Sequence, residues 1–361
     1  MNKRKLHVQA DRIELVLQHH KAPARVTGGR VTPRTIQFHL QVAPTTKIAK
    51  VEALSEEIAL ALGASSARIT RSNGNLNVEV PREDSHTVYF LDLAQQLLRD
   101  IQLRRALQVP GTALLGLDAE GIPLLVRLAS PDVTHILIAG TTGSGKTEVT
   151  RTILASLVYF QRAREIQVVL ADPKGTAFQV FDGLPHLLTG AVKTVEETMS
   201  LLRWLESEME RRETEGITRP RLVVALDELA DLLLQGGQEM QVHLTRLAQR
   251  GRSAGISLIA CTQKPTAAAI GSLIKANFPV RLVGRVTSAE EARIASGIGG
   301  TGAERLSGRG DFILVAGGET VRFQAAQLPP GAYATFRDYV AAQQAVHASH
   351  VRGLLSRLVR K

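Results

Sequence analysis

The sequence predicts an α/β fold in which a mostly parallel sheet is covered by helices on both faces, with a smaller α+β domain ahead of it. Three observations carry this expectation. The stretch Gly140-Thr141-Thr142-Gly143-Ser144-Gly145-Lys146-Thr147 follows directly on the apolar run Val133 to Ala139 and leads into a helical pattern, which is the strand–loop–helix setting of a P-loop. Downstream of it, short apolar runs alternate with helical stretches, as strands buried on both faces do. Upstream, strict apolar/polar alternation and a single amphipathic helix describe a small sheet covered on one side.

Taken in order, residues 10 to 20 have the pattern of a short helix, which Gly28-Gly29 breaks. From Thr35 to Ala43, Ile36, Phe38, Leu40 and Val42 fall on one face and Gln37, His39 and Gln41 on the other, so a half-buried strand is expected with His39 at the surface. Val51, Leu54, Ile58 and Leu62 recur at helical spacing and stop at Gly63. Ala67 to Thr70, the turn pair Asn73-Gly74 and the alternating Leu76, Val78 and Val80 predict a hairpin. A helix from about Thr87 to Leu107 leads away, Val109-Pro110-Gly111 ends it, and a short hairpin around Glu120-Gly121 follows. The later strands are expected at Val133 to Ala139, Ile166 to Ala171, Leu222 to Leu226, Ile256 to Cys261, Val280 to Val283, Phe312 to Val315 and Val321 to Ala325, with a helix from Glu148 to Tyr159. The expected division is a small α+β domain with a basic arm over residues 1–107, an ATPase domain over 108–335 and a basic C-terminal helix over 336–361.

Composition narrows the class. With 44% hydrophobic residues and a mean hydropathy of +0.01 the chain reads as a soluble globular protein. No apolar run nears the ~20 residues that span a bilayer, and Met1 opens a basic segment, so a cytoplasmic protein with no membrane segment is expected. The single cysteine, Cys261, lies in an apolar run and reads as a small core residue. The net charge of +10 resides at the two ends: residues 1–34 hold eight basic side chains against two acids, and 337–361 hold five against one. Such ends suit contact with a polyanion such as nucleic acid, or serve as solvated tails that maintain solubility.

The chemistry centres on the glycine-rich loop. Only residues without bulky side chains let the main chain wrap a polyphosphate with its N–H groups, so Gly140, Thr141, Thr142, Gly143, Ser144 and Gly145 form the cradle for ATP. Lys146 reaches the β- and γ-phosphates, Thr147 offers its hydroxyl to Mg²⁺, and the helix that starts there aims its positive end at the anion. The strand Leu222 to Leu226 ends in Asp227-Glu228, where Asp227 suits Mg²⁺ and Glu228 suits orienting the attacking water; that second acid favours an ATPase over a kinase. Thr262-Gln263 ends another apolar strand, and if that strand lies between the P-loop strand and the Asp227 strand, Gln263 sits beside the γ-phosphate. Asp172, at the end of Ile166 to Ala171, reads as a cap on the following turn.

Ordered blocks from Leu137 through Thr147, Ala171 to Lys174, Gly183 to Thr189, Glu208 to Arg212, Asp227 to Leu232, Arg246 to Gln249, Ala254 to Ile256, Thr262 to Pro265 and Leu273 to Asn277 closely resemble the motor of FtsK/SpoIIIE double-stranded DNA translocases. Val51 to Gly63 is similar to the helix of the small domain that precedes the motor in that family. The resemblance implies a RecA-like P-loop ATPase domain, a hexameric ring of identical subunits with ATP at their interfaces, and duplex DNA in the channel. It makes Arg252 the arginine finger that enters the neighbouring subunit's site, and Lys264, Lys275 and Arg293 the DNA contacts, with Lys146, Glu228, Arg252 and Gln263 as the catalytic set.

The departures are informative. Ala289 and Glu290-Glu291 stand where family members carry a lysine nearby, so the DNA-gripping loop is less basic and more of the contact falls to Arg293. The linker from Arg212 to Arg221 is short, no membrane-spanning region precedes the motor, and the chain after Ala325 is too short for a winged-helix domain that reads orientation sequences. Tyr339 to Lys361 reads as a basic amphipathic helix with Val346, Val351, Leu354, Leu355 and Leu358 on its apolar side. The expected function is therefore a stand-alone ATP-driven DNA translocase, with three rivals: a conjugation or mobile-element motor of the same superfamily, a secretion ATPase moving polypeptide, and a DNA-bound ATPase scaffold.

Overall fold

A computed structural model describes residues 3–31, 35–64, 66–72, 75–82, 87–263 and 277–344. The chain divides into two compact units, residues 1–87 with 119–122, and residues 88–118 with 123–361.

The first unit is a four-stranded sheet in the order β1-β2-β4-β3, with β1 Ala24–Val31, β2 Thr35–Val42, β3 Arg68–Ser72 and β4 Asn75–Pro81, all pairs antiparallel. Helices α1 (Lys3–His19), α2 (Ile48–Glu52) and α3 (Ser55–Leu62) supply Ile13, Leu17, Val51, Ile58 and Leu62, and Leu54 between α2 and α3 joins them, in a core shared with Ile36, Phe38, Leu40, Leu76, Val78 and Val80. The alternation expected for β2 is present, but its polar face is not open. Gln37 is 8% exposed and donates to Glu79 Oε1 at 3.3 Å, and His39, half-buried, pairs through Nδ1 with Asn77 Oδ1 at 2.7 Å. Gly28-Gly29, expected to break the pattern, lie inside β1. There the register shifts between Val26 and Gly28, and a Cβ on Gly29 would meet the Gln37 carbonyl oxygen at 2.7 Å, so glycine serves a close backbone approach rather than a chain reversal.

The second unit is built on a nine-stranded sheet in the order β6-β5-β13-β12-β11-β7-β10-β9-β8. The strands are β5 Thr112–Asp118, β6 Pro123–Arg127, β7 Ile136–Ala139, β8 Ile166–Ala171, β9 Arg221–Leu226, β10 Ile256–Thr262, β11 Val280–Val283, β12 Asp311–Ala316 and β13 Glu319–Ala325. β8, β9, β10, β7 and β11 are parallel, and β12, β13, β5 and β6 continue the sheet antiparallel. Successive residues of the parallel strands enter two different cores. Ile136, Ile138, Val223, Ala225, Ile259 and Cys261 face α6 (Lys146–Phe160), while Leu137, Leu222, Val224, Leu226, Leu258 and Ala260 face α7 (Val195–Glu215) and α8 (Leu229–Arg250). Burial on both sides is why these strands read as continuous apolar runs, and why Cys261 is a core thiol.

The helix expected from Thr87 to Leu107 is two helices, α4 (Phe90–Arg99) and α5 (Ile101–Leu107). Asp100 stands between them in extended conformation and caps the second, its carboxylate accepting from the N–H groups of Gln102 and Leu103 at 2.8 and 3.1 Å. Phe90, Leu93, Ala94, Leu97 and Leu107 share the α6 core, so these helices belong to the second unit rather than the first. Beyond β13 a helix runs over residues 333–344; the rest of the expected basic C-terminal helix, and the Asn73-Gly74 turn, lie outside the described residues.

Candidate nucleotide site

The strand order satisfies the condition on which the second half of the site depends: β10 lies between β7 and β9, with Thr262 opposite Ala139 and Ala260 opposite Leu226. The ends of three adjacent parallel strands therefore deliver the P-loop, Gln263 and Asp227-Glu228 to one edge of the sheet, where ligands of such folds bind.

The loop from Gly140 to Gly145 is held by its carbonyls. Lys146 Nζ donates to the Gly140 and Thr141 oxygens at 2.6 and 3.1 Å, the Arg309 N–H to Gly143 at 3.0 Å, and the Gly310 N–H to Ser144 at 2.8 Å. Thr141 is fastened to the Arg285 carbonyl through its N–H at 2.8 Å and its hydroxyl at 3.0 Å. With these carbonyls engaged by protein donors, the loop's remaining N–H groups are left for an anion. Gly145, the residue before α6, has φ +102°, and a Cβ there would lie 2.6 Å from the Gly310 nitrogen, so two separate demands exclude any other residue. The clasp formed by Arg285 and Gly308-Arg309-Gly310 was not read from the sequence; the only signal was a cationic residue between two glycines just before a strand. Buried Asp311 anchors it, accepting from Arg322 at 2.9 Å and from the N–H and hydroxyl of Ser307 at 3.0 and 2.9 Å.

Charge is concentrated on this edge. Burial pushes the Lys146 ammonium below the usual lysine range, with Glu228 and Asp227 opposing the shift. Burial, reinforced by repulsion from Asp172, raises the Asp227 carboxyl. Glu228 is buried and adopts φ +60°, ψ +63°, a left-handed conformation that a non-glycine residue rarely holds away from functional sites. Its Oε1 accepts from the Gln263 N–H at 3.0 Å, and the Gln263 Oε1 accepts from the Thr142 hydroxyl at 2.9 Å. Asp172 caps its turn as expected, accepting from the N–H groups of Gly175 and Ala177 at 3.0 and 2.7 Å. Thr147 is half-buried in the first turn of α6. A hydroxyl and a half-buried carboxylate crowded by another acid are hard oxygen donors whose repulsion a divalent cation relieves, so Thr147 and Asp227 fit Mg²⁺.

Not every expected residue joins this cluster. Arg252 is exposed on the turn before β10 and makes no ion pair among the described residues. Seven residues of β10, at about 3.3 Å each, put it roughly 20 Å from the Gln263 end, beyond reach of its own P-loop. Arg293 lies on a helix, α9 (Ala289–Ser296), not on a loop, exposed and paired with Glu290 at 2.6 Å. Lys264 and Lys275 lie outside the described residues. Among the described residues no helix is long and apolar enough to cross a membrane.

Comparison with known proteins agrees with this geometry. The FtsK/SpoIIIE family model matches residues 98–218 and 213–267, and the FtsK alpha domain model matches residues 1–82. The chain is 33% identical over 342 residues to the DNA translocase SftA of Bacillus subtilis, covering 88% of this chain and 35% of that protein. It is 32% identical to the DNA translocase FtsK of Staphylococcus epidermidis, covering 92% and 44%, and 32% identical to that of Caulobacter vibrioides, covering 87% and 43%. The chain thus spans about two fifths of the length of these relatives. Among solved structures, the pCW3 conjugation coupling protein TcpA in monomer form with ATPγS superposes with a TM-score of 0.62 at 20% identity, over 93% of this chain and 99% of that one. The cytoplasmic domain of the type VII secretion ATPase EccC from Thermomonospora curvata superposes at 0.55 and 26% identity, over 66% of this chain and 31% of that one. The fold is that of a P-loop ATPase, and the chain belongs to the FtsK/SpoIIIE family.

Proposed function

We infer that the chain hydrolyses ATP to move along double-stranded DNA, working as a ring of identical subunits, six by family resemblance, with each ATP bound between two neighbours. The observation that carries the reading is the strand order β7-β10-β9, which unites the P-loop, Asp227-Glu228 and Gln263 and leaves Arg252 about 20 Å away. A guanidinium at that distance is out of reach of its own P-loop, which suits the finger role that the family resemblance implies. The relatives' names, DNA translocase, support DNA as the substrate.

In this reading the cradle's N–H groups and Lys146 bind the phosphates, and Glu228, held by the Gln263 N–H, orients water for in-line attack on the γ-phosphate. Gln263 senses the γ-phosphate, and the neighbour's Arg252 neutralises charge as it develops. Thr147 and Asp227 would hold Mg²⁺, which would supply further neutralisation of that charge. Lys264, Lys275 and Arg293 are the candidate grips on the DNA backbone, which gives binding with little sequence preference and strong salt dependence.

The test is ATP turnover with and without long duplex at low salt. Stimulation is expected, and it falls as salt rises; a rate unchanged by duplex overturns the reading. Stimulation by a polypeptide and not by DNA would instead favour a secretion role, the reading that the similarity to EccC supports.

A further inference from the structure

The geometry points to Thr142 as a positioning residue of this site: its hydroxyl tethers the Gln263 amide to the P-loop, beside the nucleotide. The inference rests on the ATPase reading and deepens it.

A glutamine amide has an oxygen that only accepts and a nitrogen that only donates, nearly equal in shape, so nothing intrinsic decides which end faces a ligand. A phosphate oxygen only accepts. Beside a γ-phosphate the amide is useful in one orientation, with Nε2 toward the anion, and repulsive in the other. In the structure Thr142 Oγ1 donates to Gln263 Oε1 at 2.9 Å, the pairing that goes with Nε2 toward a phosphate oxygen. The backbone of the same residue is committed as well, Gln263 N–H donating to Glu228 Oε1 at 3.0 Å. One side chain of the P-loop is therefore linked through Gln263 to the carboxylate that orients water. Thr142 is exposed and Gln263 only half-buried, so this link contributes to no packed core. It couples the loop that grips the phosphates to the two groups that act on the terminal one.

The experiment compares Thr142→Val, which keeps the shape and removes the donor, with Thr142→Ser, which keeps the donor, in DNA-stimulated ATP turnover by the full chain. Loss of one hydrogen bond that orders a transition-state contact lowers kcat about tenfold in Thr142→Val. The KM for ATP stays within about twofold, since the cradle's N–H groups are untouched. Thr142→Ser regains most of the rate, and in a Gln263→Ala background Thr142→Val costs nothing further. A kcat for Thr142→Val equal to wild type, an effect confined to KM, or an undiminished loss in the Gln263→Ala background overturns the inference while the ATPase reading stands. Absence of ATP turnover in the wild-type protein overturns both.

Discussion

The two ends of β10 differ in how they treat charge. At the Gln263 end Lys146, Asp172, Glu228 and Gln263 are each engaged by hydrogen bonds within a buried or half-buried cluster. At the Arg252 end the neighbouring basic side chains are held by carboxylates of α7. Arg246 and His243 pair with Glu206, and Arg250 pairs with Glu213 at 2.5 Å, while Arg252 is exposed with no such partner among the described residues. Glu213 also accepts from Ser253 at 2.7 Å, so a single carboxylate on α7 holds the residues on both sides of Arg252. One end is furnished for a ligand, and the other presents an exposed cation with no ion-pair partner among the described residues. This is the arrangement expected of a site shared between subunits.

The comparison breaks most decisively in a mixing experiment. Lys146→Ala abolishes ATP binding or turnover, and Arg252→Ala leaves binding intact but lowers turnover by about 10³- to 10⁵-fold. Mixed together, the two inactive variants recover activity, because a subunit with an intact P-loop meets a neighbour with an intact Arg252. Failure to recover, or normal turnover by Arg252→Ala alone, removes the shared site.

A second prediction concerns the clasp. Burial alone would push the Asp311 carboxyl up, but the hydrogen bonds from Arg322 and Ser307 overcome it and hold the carboxyl below the usual aspartate range. Asp311→Ala, which removes the buried carboxylate that pairs with half-buried Arg322, is expected to cost about 3 kcal/mol in urea unfolding. Because the folded pKa is depressed, this stabilisation is complete above the unfolded value near 4 and is lost as pH falls through the lower folded value. Thermal midpoints of wild type and Asp311→Ala should therefore converge in acid.

The smallest effect sharpens the contrast at the Arg252 end. Glu213→Ala frees the turn on both sides of Arg252 and should lower kcat a few-fold, about 1 kcal/mol, without changing ATP affinity. A change in affinity instead would mean that the turn contributes to ATP binding.

The P-loop, Asp227-Glu228, Gln263 and the parallel strands were legible because their signals are local. An apolar run that ends in a glycine loop or an acid pair records burial on both faces and a functional end. The placement of Gly28-Gly29 inside β1 and the burial of Gln37 against Glu79 were not legible, since each depends on a partner distant in sequence, whereas the break at Asp100 is a local cap hidden within a continuous helical pattern. Residues alone pointed to Gly140 to Thr147 as a phosphate-binding loop at the end of a buried strand, because a backbone that must wrap phosphate tolerates few side chains. Only the tertiary structure decided that β10 runs between β7 and β9, that Glu228 takes a left-handed backbone and leans on the Gln263 N–H, and that Arg285 and Gly308 to Gly310 clasp the loop. These follow from strand order and from hydrogen bonds between residues 35 to 144 or more apart, which sheet packing selects and no local pattern encodes.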